Sequence, residues 1–431
     1  MSDPLRLGIA GLGTVGAGVV KILEKRGDLI AARAGRPIKV AAVSARTQDK
    51  DRGFDMSPYA WESDPVSLAS RDDVDLVIEL VGGDTGPAKD TVEAAIANGK
   101  DVVTANKAML ALHGQEIAEA AEAKGLCVRF EAAVAGGIPC VKALTESLAG
   151  NRIDRVMGVM NGTCNYILTR MEDAGLPYDT VFAEAKALGY LEADPTLDVG
   201  GIDAGHKLAL LASIAFGTRV DFEGVKLEGI ERVSIADIRH ANDMGFKVKL
   251  LGVARMTGRG LEARMSPCLM PAASPLGQLS GATNMVVLEG DAVGQIVLRG
   301  AGAGEGPTAS AVLSDVIELA RGTRLPTFGQ PAASLVAGTR ARAESPAPYY
   351  LRMELQDKPG ALAKAAACLG NAGISIDRMR QYDHADASVA PVIMVTHKAG
   401  RPDLDAALQT MSETGVLMGE PVALRIEELD D

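Results

Sequence analysis

A glycine-rich segment near the N-terminus, residues 11–16, constrains the fold of this chain more than any other feature. Its sequence, GLGTVG, has the spacing Gly-x-Gly-x-x-Gly and lies between an apolar run at residues 5–10 and a segment with helical spacing of valine and leucine. In such a unit the first glycine permits a tight turn, the second lets the backbone approach a pyrophosphate, and the third lets helix and strand pack closely. The helix N-terminus would face the anion. We expect the following residues to contact a dinucleotide: Gly11, Leu12, Gly13, Thr14, Val15 and Gly16.

The segments that follow predict an α/β fold. Four further apolar runs alternate with helical patterns, at residues 39–44, 75–80, 101–104 and 126–131. This alternation is typical of a doubly wound, Rossmann-like parallel sheet, whose ligands bind beyond the carboxyl ends of its strands. We place this dinucleotide-binding domain at residues 1–150 and expect the loops after its strands to line the cofactor cleft.

The end of the second strand bears on the choice of cofactor. An acid there binds the ribose hydroxyls of NAD, whereas an arginine accommodates the 2′-phosphate of NADP. The strand ends in Ser44 and Ala45 and is followed by Arg46, with Lys50 and Arg52 nearby and no acid at the strand end. We therefore expect NADP, with NAD as the alternative, and a contact from Arg46. If Arg46 is only a solvated loop charge, this preference has no basis.

From about residue 151 the pattern becomes that of an α+β domain, which we place at residues 151–343 and expect to bind the substrate and to form a dimer interface. A glycine-rich turn at residues 300–310 precedes a predicted helix at 311–321. Glycines there allow a close backbone approach to a ligand, and a flexible loop is the alternative. We expect residues 304–343 to pack back on the first domain. Strand-like runs occur near residues 154–160, 247–255, 261–270, 284–289 and 295–299.

The C-terminal part of the chain follows a short proline-containing linker at residues 344–348. Strand and helix patterns after the linker have the order βαββαβ. This order is that of a ferredoxin-like fold, and we place the domain at residues 349–431.

The composition excludes several classes of function. The net charge of −12 disfavours nucleic acid and anionic membranes as partners, and aromatic residues make up only 3% of the chain, too few for base-stacking platforms. No uncharged apolar run is long enough to span a bilayer, and the start of the chain has no signal-peptide pattern. Five cysteines without CxxC spacing indicate reduced thiols. We expect a cytoplasmic protein that acts on small molecules.

A cluster of charged residues before an apolar helix, within residues 192–207, is the strongest candidate for catalysis. Asp203 and Lys207 are four residues apart and share one face of a helix. A lysine at the start of an apolar helix is costly to desolvate unless it is paired or lies at a cavity. Carboxylates that hold a substrate amine, with a lysine that donates a proton, would explain the pattern, and a solvated salt bridge is the alternative. The cluster consists of Glu192, Asp194, Asp198, Asp203 and Lys207.

Taken together, these segments resemble homoserine dehydrogenases of the monofunctional kind that carries a C-terminal ACT domain. The resemblance covers essentially the whole chain, and its most specific parts are TANKA and residues 188–207, which we call the acidic segment. One departure is Ala301, where such proteins often have proline. The segments that carry the resemblance are GLGTVG (11–16), TANKA (104–108), EAAVAGGIP (131–139), MNGTCNYIL (160–168), LGYLEADPTLDVGGIDAGHK (188–207), GAGAGEGPTASAVLSDV (300–316) and DKPGALAKAAACLGNAGISI (357–376).

The resemblance implies reduction of L-aspartate 4-semialdehyde to L-homoserine with NAD(P)H, a step of threonine, methionine and isoleucine biosynthesis. It implies that Lys207 and Lys107 are the catalytic residues. Lys207 would donate the proton, and Lys107, at the carboxyl end of the fourth predicted strand, would contact cofactor and substrate, with a share in the acid role as the alternative. A cation beside the aldehyde oxygen would stabilise the negative charge that develops as the hydride arrives. The residues implied to bind substrate are Glu192, Asp203, Asp198, Asn161, Gly162 and Thr163, and those implied to bind cofactor beyond the glycine turn are Thr104, Lys107 and Gly304.

The resemblance also implies a sodium-like monovalent cation at the segment EAAVAGGIP. The implied ligands are Glu131, Val134, Gly136 and Ile138, largely through backbone carbonyls. Oxygen ligands suit a hard cation. An ordinary loop that joins a strand to a helix is equally compatible with the sequence.

The ACT-like domain implies feedback inhibition by L-threonine, bound where two such domains pair. The relevant loops would be residues 357–361 and 371–374, and the pairing fits a homodimer or homotetramer. Inhibition requires threonine to bind the less active state better. A C-terminal domain that only mediates assembly is the alternative.

Other functions compete with this interpretation. A hydroxy-acid dehydrogenase with an ACT tail would need an Arg–Glu–His set, and no histidine lies at a predicted strand end. A non-enzymatic amino-acid sensor would leave Glu192, Asp203 and Lys207 unexplained. Cys164 could act as the thiol nucleophile of a phosphorylating semialdehyde dehydrogenase, although most cysteines are small buried hydrophobes.

Overall fold

The computed structural model describes residues 3–191 and 194–428, and Glu192 lies outside these ranges. In the N-terminal part, six parallel strands form a sheet in the order β3–β2–β1–β4–β5–β6. The order extends in both directions from β1, as predicted for a doubly wound sheet. The elements are β1 (Leu5–Ala10), α1 (Thr14–Ala34), β2 (Ile38–Ser44), β3 (Ala60–Glu62), α2 (Ser67–Ser70), β4 (Leu76–Glu79), α3 (Pro87–Ala97), β5 (Asp101–Thr104), α4 (Lys107–Glu122), β6 (Val128–Arg129) and α5 (Cys140–Lys142).

Two details of this sheet differ from the prediction. The edge strand β3 pairs with β2 and was not predicted, because three residues are too few to show a periodic pattern. The last strand, β6, has only two residues instead of the six predicted at residues 126–131. The chain turns into a 3-10 helix at Glu131–Ala133, where the N–H of Glu131 donates to Oδ2 of Asp315 at 2.9 Å.

The middle part is built on a largely antiparallel sheet. Its main core lies between this sheet and α6, α9 and α10. The four strand-like runs after residue 246 and the run at 154–160 are confirmed as strands. The elements are β7 (Ile153–Val159), α6 (Gly162–Ala174), α7 (Tyr178–Ala187), α8 (Thr196–Val199), α9 (Ile202–Phe216), β8 (Lys226–Leu227), α10 (Ile235–Asp243), β9 (Phe246–Thr257), β10 (Gly260–Pro271), β11 (Thr283–Gly290), β12 (Gly294–Ala301) and α11 (Glu305–Ala320).

The C-terminal part has the predicted βαββαβ order, but its sheet does not stand alone. Strand β16 pairs in parallel with β10 through Cys268 with Arg425 and Leu269 with Ile426, so both parts share one ten-stranded sheet. Beside this joint the buried side chains of Arg264 and Glu427 form an ion pair. The elements are β13 (Tyr349–Gln356), α12 (Ala361–Asn371), β14 (Ile376–Gln381), β15 (Val389–Thr396), α13 (Arg401–Glu413) and β16 (Val422–Ile426). Within the described ranges, no helix combines the length and the apolar character that crossing a membrane requires.

Helix α11 returns from the middle part to the N-terminal sheet and packs against α1. A Cβ atom on Gly18 of α1 would lie 3.1 Å from the Cβ of Ala309, so glycine lets the two helices approach closely. The helix starts at Glu305, whereas the sequence predicted a start at residue 311. Pro307 is compatible with the earlier start because first-turn N–H groups have no partner within the helix. The domain boundaries that we assigned remain predictions.

A buried lysine fixes the loop that precedes β11. Lys249 of β9 is 4% exposed, and its Nζ donates to the carbonyl oxygen of Leu279 and to Oδ1 of Asn165, the latter at 3.3 Å. The Asn165 amide donates in turn to the carbonyl oxygen of Gly281 at 2.8 Å. Burial lowers the pKa of Lys249 to about 8. These bonds hold the loop beside the cavity described below.

Lys249 should make the stability of the fold depend on pH. Its pKa is about 8 in the folded chain against an ordinary 10.5, so between these values the unfolded state binds more protons and the free energy of unfolding rises with pH. A Lys249→Met variant lacks this contribution. From pH 8 to pH 10 the wild type should therefore gain about 2 kcal/mol relative to the variant.

Urea unfolding at the two pH values measures this difference. The matched control is Lys25→Met, because Lys25 is exposed. A difference between wild type and Lys249→Met that stays constant with pH would contradict the lowered pKa.

Candidate active site

A cleft of about 830 Å³ lies at the carboxyl ends of the first sheet. Gly11 has a φ of +99°, and a Cβ there would lie 2.4 Å from the carbonyl oxygen of Leu80. A Cβ on Gly16 would lie 2.0 Å from the carbonyl oxygen of Gly11, whereas a Cβ on Gly13 would meet nothing within 4 Å. The backbone at Gly13 is therefore open to a ligand, as a pyrophosphate contact requires. Gly11, Leu12 and Gly13 line the cleft, and Thr14 is exposed at the start of α1.

The wall formed by the loop after β2 is basic. Arg46, Lys50 and Arg52 contribute to it, and no carboxylate is found among the described residues that line the cleft. Arg52 is buried, and its guanidinium donates to the carbonyl oxygens of Leu12 and Lys50 at 3.2 and 2.8 Å. Arg52 thus holds the loop in place, whereas Arg46 and Lys50 are exposed.

Thr104 lies behind the cleft rather than at its surface. Its side chain is fully buried, its hydroxyl donates to Oε2 of Glu79 at 2.6 Å, and the hydroxyl oxygen accepts the N–H of Asn106 at 2.9 Å. The other oxygen of the buried Glu79 accepts the N–H groups of Val81 and Gly82 at 2.7 and 3.2 Å. Glu79 and Thr104 therefore connect the loop after β4 with the start of α4. The Thr104 side chain is engaged in this network instead of facing a cofactor.

A second cavity, of about 610 Å³, lies where the N-terminal and middle parts meet. It adjoins the first cleft at the start of α1, because Gly13 lines the cleft and Val15 lines the cavity. The starts of α4 and α6, the helix α9 and the turn after β12 form its walls. The residues of our sequence analysis that line this cavity are Val15, Lys107, Gly136, Asn161, Gly162, Thr163, Asp198, Asp203, Lys207 and Gly304.

In this cavity two lysines share one carboxylate. Nζ of Lys107 is 2.8 Å from Oδ1 of Asp203, and Nζ of Lys207 is 2.6 Å from Oδ2. Lys207 also donates to the carbonyl oxygen of Met160 at 2.9 Å. Burial alone would raise the pKa of Asp203, but the two ammonium groups outweigh it and hold the pKa well below its usual range. The carboxylate is thus kept as an anion and orients both lysines.

This geometry bears on two expectations from the sequence. Asp203 and Lys207 do share a helix face, and because Lys207 is only 8% exposed they are not the solvated pair of the alternative. Asp203, however, was expected to hold a substrate ammonium group. Both of its oxygens instead hold lysines, so an ammonium group would have to compete with them.

The start of α6 forms the next wall. Asn161 caps the helix, which begins at Gly162, because the Asn161 side chain accepts a first-turn N–H. Its Nδ2 donates to Oδ1 of the buried Asp198 at 2.9 Å. The hydroxyl of Thr163 donates to the carbonyl oxygen of Tyr190 at 2.9 Å. These bonds join α6 to the acidic segment.

The loop expected to bind a cation is buried beside the second cavity. Glu131 is 2% exposed, and its oxygens accept the N–H groups of Val141 and Lys142 at 3.0 and 2.7 Å. Burial raises the pKa of Glu131 to about 7, and the nearby Asp315 adds to this effect. Val134, Gly136 and Ile138 follow Glu131 in the same loop, where Gly136 has a φ of +54°.

Carboxyl groups outnumber cationic side chains around this loop. Lys142 contacts Asp315 at 2.9 Å and also Glu318, which pairs in turn with Arg129. With Glu131, these largely buried side chains comprise three carboxylates and two cations. A monovalent cation would neutralise the remaining charge, and carbonyl and carboxylate oxygens suit a hard ion. Across residues 3–191 and 194–428, no group of three or more His, Cys, Asp or Glu side chains could hold a metal ion, so backbone oxygens would have to contribute.

The sequence analysis missed several residues of the second cavity, among them Tyr190 and Asn284. Tyr190 lies within the acidic segment and stacks on Tyr166 with ring centroids 4.5 Å apart. Asn284 lies at the start of a predicted strand to which the sequence analysis gave no functional residue. Its place in the cavity results from the pairing of β11 with β7 and β12, which no local pattern reveals.

Comparison with known proteins identifies the family. Residues 139–317 match the family description "Homoserine dehydrogenase", and residues 11–131 match "Homoserine dehydrogenase, NAD binding domain". A homoserine dehydrogenase of Pseudomonas aeruginosa is 42% identical, and one of Neisseria gonorrhoeae is 41% identical, each alignment covering 99% of this chain and 100% of the relative. This chain belongs to the homoserine dehydrogenase family.

The fold agrees with this family throughout. The crystal structure of a homoserine dehydrogenase from Thiobacillus denitrificans has a TM-score of 0.93 to this chain at 40% identity, covering 99% of each chain. Residues 349–415 match the ACT domain. The family resemblance, the oxidoreductase class, the Rossmann-like domain and the ACT domain are therefore confirmed. The alternative of a hydroxy-acid dehydrogenase is wrong.

Cys164, the candidate thiol nucleophile, is unsuited to nucleophilic catalysis in this member of the homoserine dehydrogenase family. Burial raises the pKa of the Cys164 thiol well above its ordinary value, and its Sγ donates to the carbonyl oxygen of Asp198 at 3.3 Å. A raised pKa disfavours the thiolate, which is the reactive form. The five cysteines, Cys127, Cys140, Cys164, Cys268 and Cys368, are all free and buried.

We expect the native protein to react slowly with a thiol reagent. In Ellman's assay at pH 7.5, less than one of the five thiols per chain should react within minutes, and all five should react in urea, because burial blocks access of the reagent. Cys164→Ser is the control for that position. A fast-reacting thiol that is lost in Cys164→Ser would contradict this assignment.

Proposed function

We propose that the protein reduces L-aspartate 4-semialdehyde to L-homoserine with a reduced nicotinamide cofactor, in the biosynthesis of threonine, methionine and isoleucine. The observation that carries this proposal is the pair of lysines held by Asp203 in a cavity that adjoins the cofactor cleft. The glycine turn fits the cofactor, because its second glycine leaves the backbone open on the cleft side. An aldehyde in the cavity would lie between the cleft and the lysines.

Lys207 is suited to donate the proton. A lysine ammonium group has three N–H donors, and two of those on Lys207 bind Asp203 and Met160. The third has no partner among the described residues and can bind the substrate oxygen. When bound, the reduced nicotinamide supplies the hydride to the aldehyde carbon. Lys207 stabilises the electron pair that moves onto the oxygen and then transfers its proton there, which leaves a neutral amine to be reprotonated from solvent.

Lys107 and the start of α6 complete the arrangement. Lys107 reaches the same carboxylate from the N-terminal domain, which suits a residue that contacts both cofactor and substrate. Gly162 and Thr163 present the N-terminus of α6 to the cavity, where helix N–H groups favour a carboxylate. We assign Asp198 and Glu192 to the substrate side as well, although Glu192 lies outside the described residues.

A Lys207→Ala variant should lose turnover but keep its cofactor. Removal of a general acid should lower kcat by about 10²- to 10⁴-fold, while the dissociation constant of the reduced cofactor stays unchanged. The assay follows absorbance of the reduced nicotinamide with L-aspartate 4-semialdehyde, and the matched control is the exposed Lys25→Ala. Unchanged kcat would remove Lys207 from the mechanism. Wild-type protein that is folded yet turns over neither cofactor would favour the amino-acid sensor instead.

We further assign NADP as the preferred cofactor, with NAD as the alternative. Three basic side chains and no carboxylate are found among the described residues of the cleft wall. Since Arg52 is engaged by backbone carbonyls, the exposed Arg46 and Lys50 are the groups suited to a 2′-phosphate.

Arg46→Ala should reduce the preference for NADPH selectively. Loss of a charge-assisted contact to the 2′-phosphate should lower kcat/KM for NADPH by about tenfold and leave kcat/KM for NADH within twofold. Parallel assays with the two cofactors measure this ratio, with the exposed Arg26→Ala as the control. A wild-type preference for NADH would overturn the assignment.

We also propose that the loop from Glu131 to Ile138 binds a sodium-like monovalent cation through the oxygens of Glu131, Val134, Gly136 and Ile138. The excess negative charge of the surrounding side chains supports this proposal. Gly136 lines the second cavity. A cation bound to this loop would therefore fix the position of that part of the cavity wall.

The ACT domain supports two further proposals, feedback inhibition by L-threonine and assembly into a homodimer or homotetramer in the cytoplasm. The loop at residues 357–360 lies before α12, and residues 372–374 follow that helix. Within one chain these segments are at opposite ends of α12, so a shared site requires a second copy. The edge strands β12 and β14 expose Val297 and Met379, which suits contact with another chain.

L-threonine should lower turnover and raise thermal stability. A ligand at about 100 times its Kd stabilises the state that it binds by about 2.7 kcal/mol, which a thermal melt detects. D-threonine is the matched control, because it has the same composition. If L-threonine changes neither kcat nor the melting temperature, a domain that serves assembly only is the better interpretation.

A further inference from the structure

The side chain of Asn106 joins the start of α4 to the loop after β4. Asn106 is 6% exposed and directly precedes Lys107, the first residue of α4. Its Oδ1 accepts the N–H of Met109 at 3.1 Å, and its Nδ2 donates to the carbonyl oxygen of Gly83 at 2.6 Å. The first bond caps the helix, as an asparagine in this position commonly does. The second lies outside the helix, and capping does not explain it.

The other end of this second bond belongs to the cofactor cleft. Residues 81–83, which we call the cleft loop, follow β4, and the first two of them line the cleft. Gly82 and Gly83 have φ values of +81° and +90°, a region that glycine enters about as readily as others, so the cleft loop has little preference of its own for this shape. Two side chains fix it instead. Glu79 accepts two N–H groups of the cleft loop, and Asn106 binds its last carbonyl oxygen.

The backbone that follows Asn106 leads into the second cavity. Lys107 extends from the first position of α4, and its Nζ lies 2.8 Å from Oδ1 of Asp203. The N–H of Asn106 donates to the hydroxyl oxygen of Thr104 at 2.9 Å, so the backbone and the side chain of Asn106 are each held from the N-terminal part. A shift of the cleft loop would therefore move the first turn of α4 and with it the Lys107 ammonium group. A displacement of about 1 Å from the productive position can cost about 10²-fold in rate.

Neither capping nor stability requires an asparagine at this position. Serine and aspartate cap helices about as well as asparagine does. Gly83 is exposed, so water could bind its carbonyl oxygen if the amide were absent. Among these three side chains, only asparagine offers an amide N–H donor on one side and a carbonyl acceptor on the other. The residue type therefore suits a tie between loop and helix better than it suits a cap alone.

We infer that Asn106 is a positioning residue, which ties the cleft loop to Lys107 and so links the cofactor cleft with the lysine of the second cavity. A nicotinamide cofactor in the cleft would bind against the loop whose last carbonyl group Asn106 holds. The inference rests on the proposed function, because Asn106 would affect the reaction only through Lys107. It adds that occupancy of the cleft and the position of the lysine are coupled.

The variant that tests this role is Asn106→Ser, which keeps a cap acceptor but is too short to reach Gly83. In the reduction of L-aspartate 4-semialdehyde, with whichever reduced cofactor the wild type prefers, it should lower kcat by about 10- to 100-fold because Lys107 is no longer held in place. The melting temperature should stay within about 2 °C of wild type. Asn98→Ser, at an exposed position, is the control. Asn106→Asp also caps the helix without the donor, should lower kcat in the same way, and replaces the serine variant if that one is unstable.

A double-mutant cycle with Lys107→Ala separates positioning from support of the fold. If Asn106 acts through Lys107, its effect disappears once the lysine is gone. Asn106→Ser should then lower the kcat of Lys107→Ala by less than about twofold. A role in folding would not depend on the lysine, and a loss of the same size would appear in both backgrounds.

The remaining outcomes are also decisive. Losses of equal size with and without Lys107, or a kcat of Asn106→Ser equal to that of wild type, would overturn this inference and leave the proposed function intact. A Lys107→Ala variant with wild-type kcat would overturn it as well, because there would be no catalytic lysine to position. A folded wild type that does not reduce L-aspartate 4-semialdehyde would overturn the proposed function together with the inference.

Discussion

The carboxylate of Asp203 is the interaction on which the active-site geometry depends. It lies in the first turn of α9, where a negative charge is favoured by the helix dipole. It binds Lys207 from its own helix and Lys107 from the N-terminal domain. Because a buried ammonium group without a partner is strongly unfavourable, the two lysines can approach each other only with this anion between them. The same contact therefore sets the chemistry of the cavity and the position of one domain against the other.

Much of the fold could be predicted because its signals are local. The glycine turn fixes a strand, a helix and their approach within a few residues, and the αβ and βαββαβ orders follow from short periodic runs. What the sequence did not reveal depends on contacts between distant segments. Strand β3 is formed by pairing with the edge of β2. Strand β6 is short because the backbone N–H of Glu131 donates a hydrogen bond to Asp315 of α11 instead of to a neighbouring strand. Neither partner is visible from the pattern of its own segment.

In the candidate site, too, the features that depend on local spacing could be predicted and those that depend on distant segments could not. The Asp203–Lys207 spacing predicted a shared helix face, and the structure has it. The role of Asp203 could not be predicted in the same way, because Lys107 comes from almost a hundred residues earlier in the chain. The resemblance implied that Thr104, the last residue of a strand, contacts the cofactor, but its hydroxyl instead donates to the buried Glu79. A position at a strand end thus places a residue near the cleft but does not determine the direction of its side chain.

The joint between β10 and β16 has a consequence for how this protein can be divided. Only two residue pairs connect the strands, yet they close the edge of β10 and bring Glu427 against the buried Arg264. A chain shortened at the linker would expose unpaired backbone groups along β10. Such an exposed edge can pair with a strand of another molecule and so promote aggregation. The shortened chain would also leave the Arg264 guanidinium without its carboxylate. The ACT domain is thus part of the scaffold of the middle domain, and a shortened chain would need another partner for that edge.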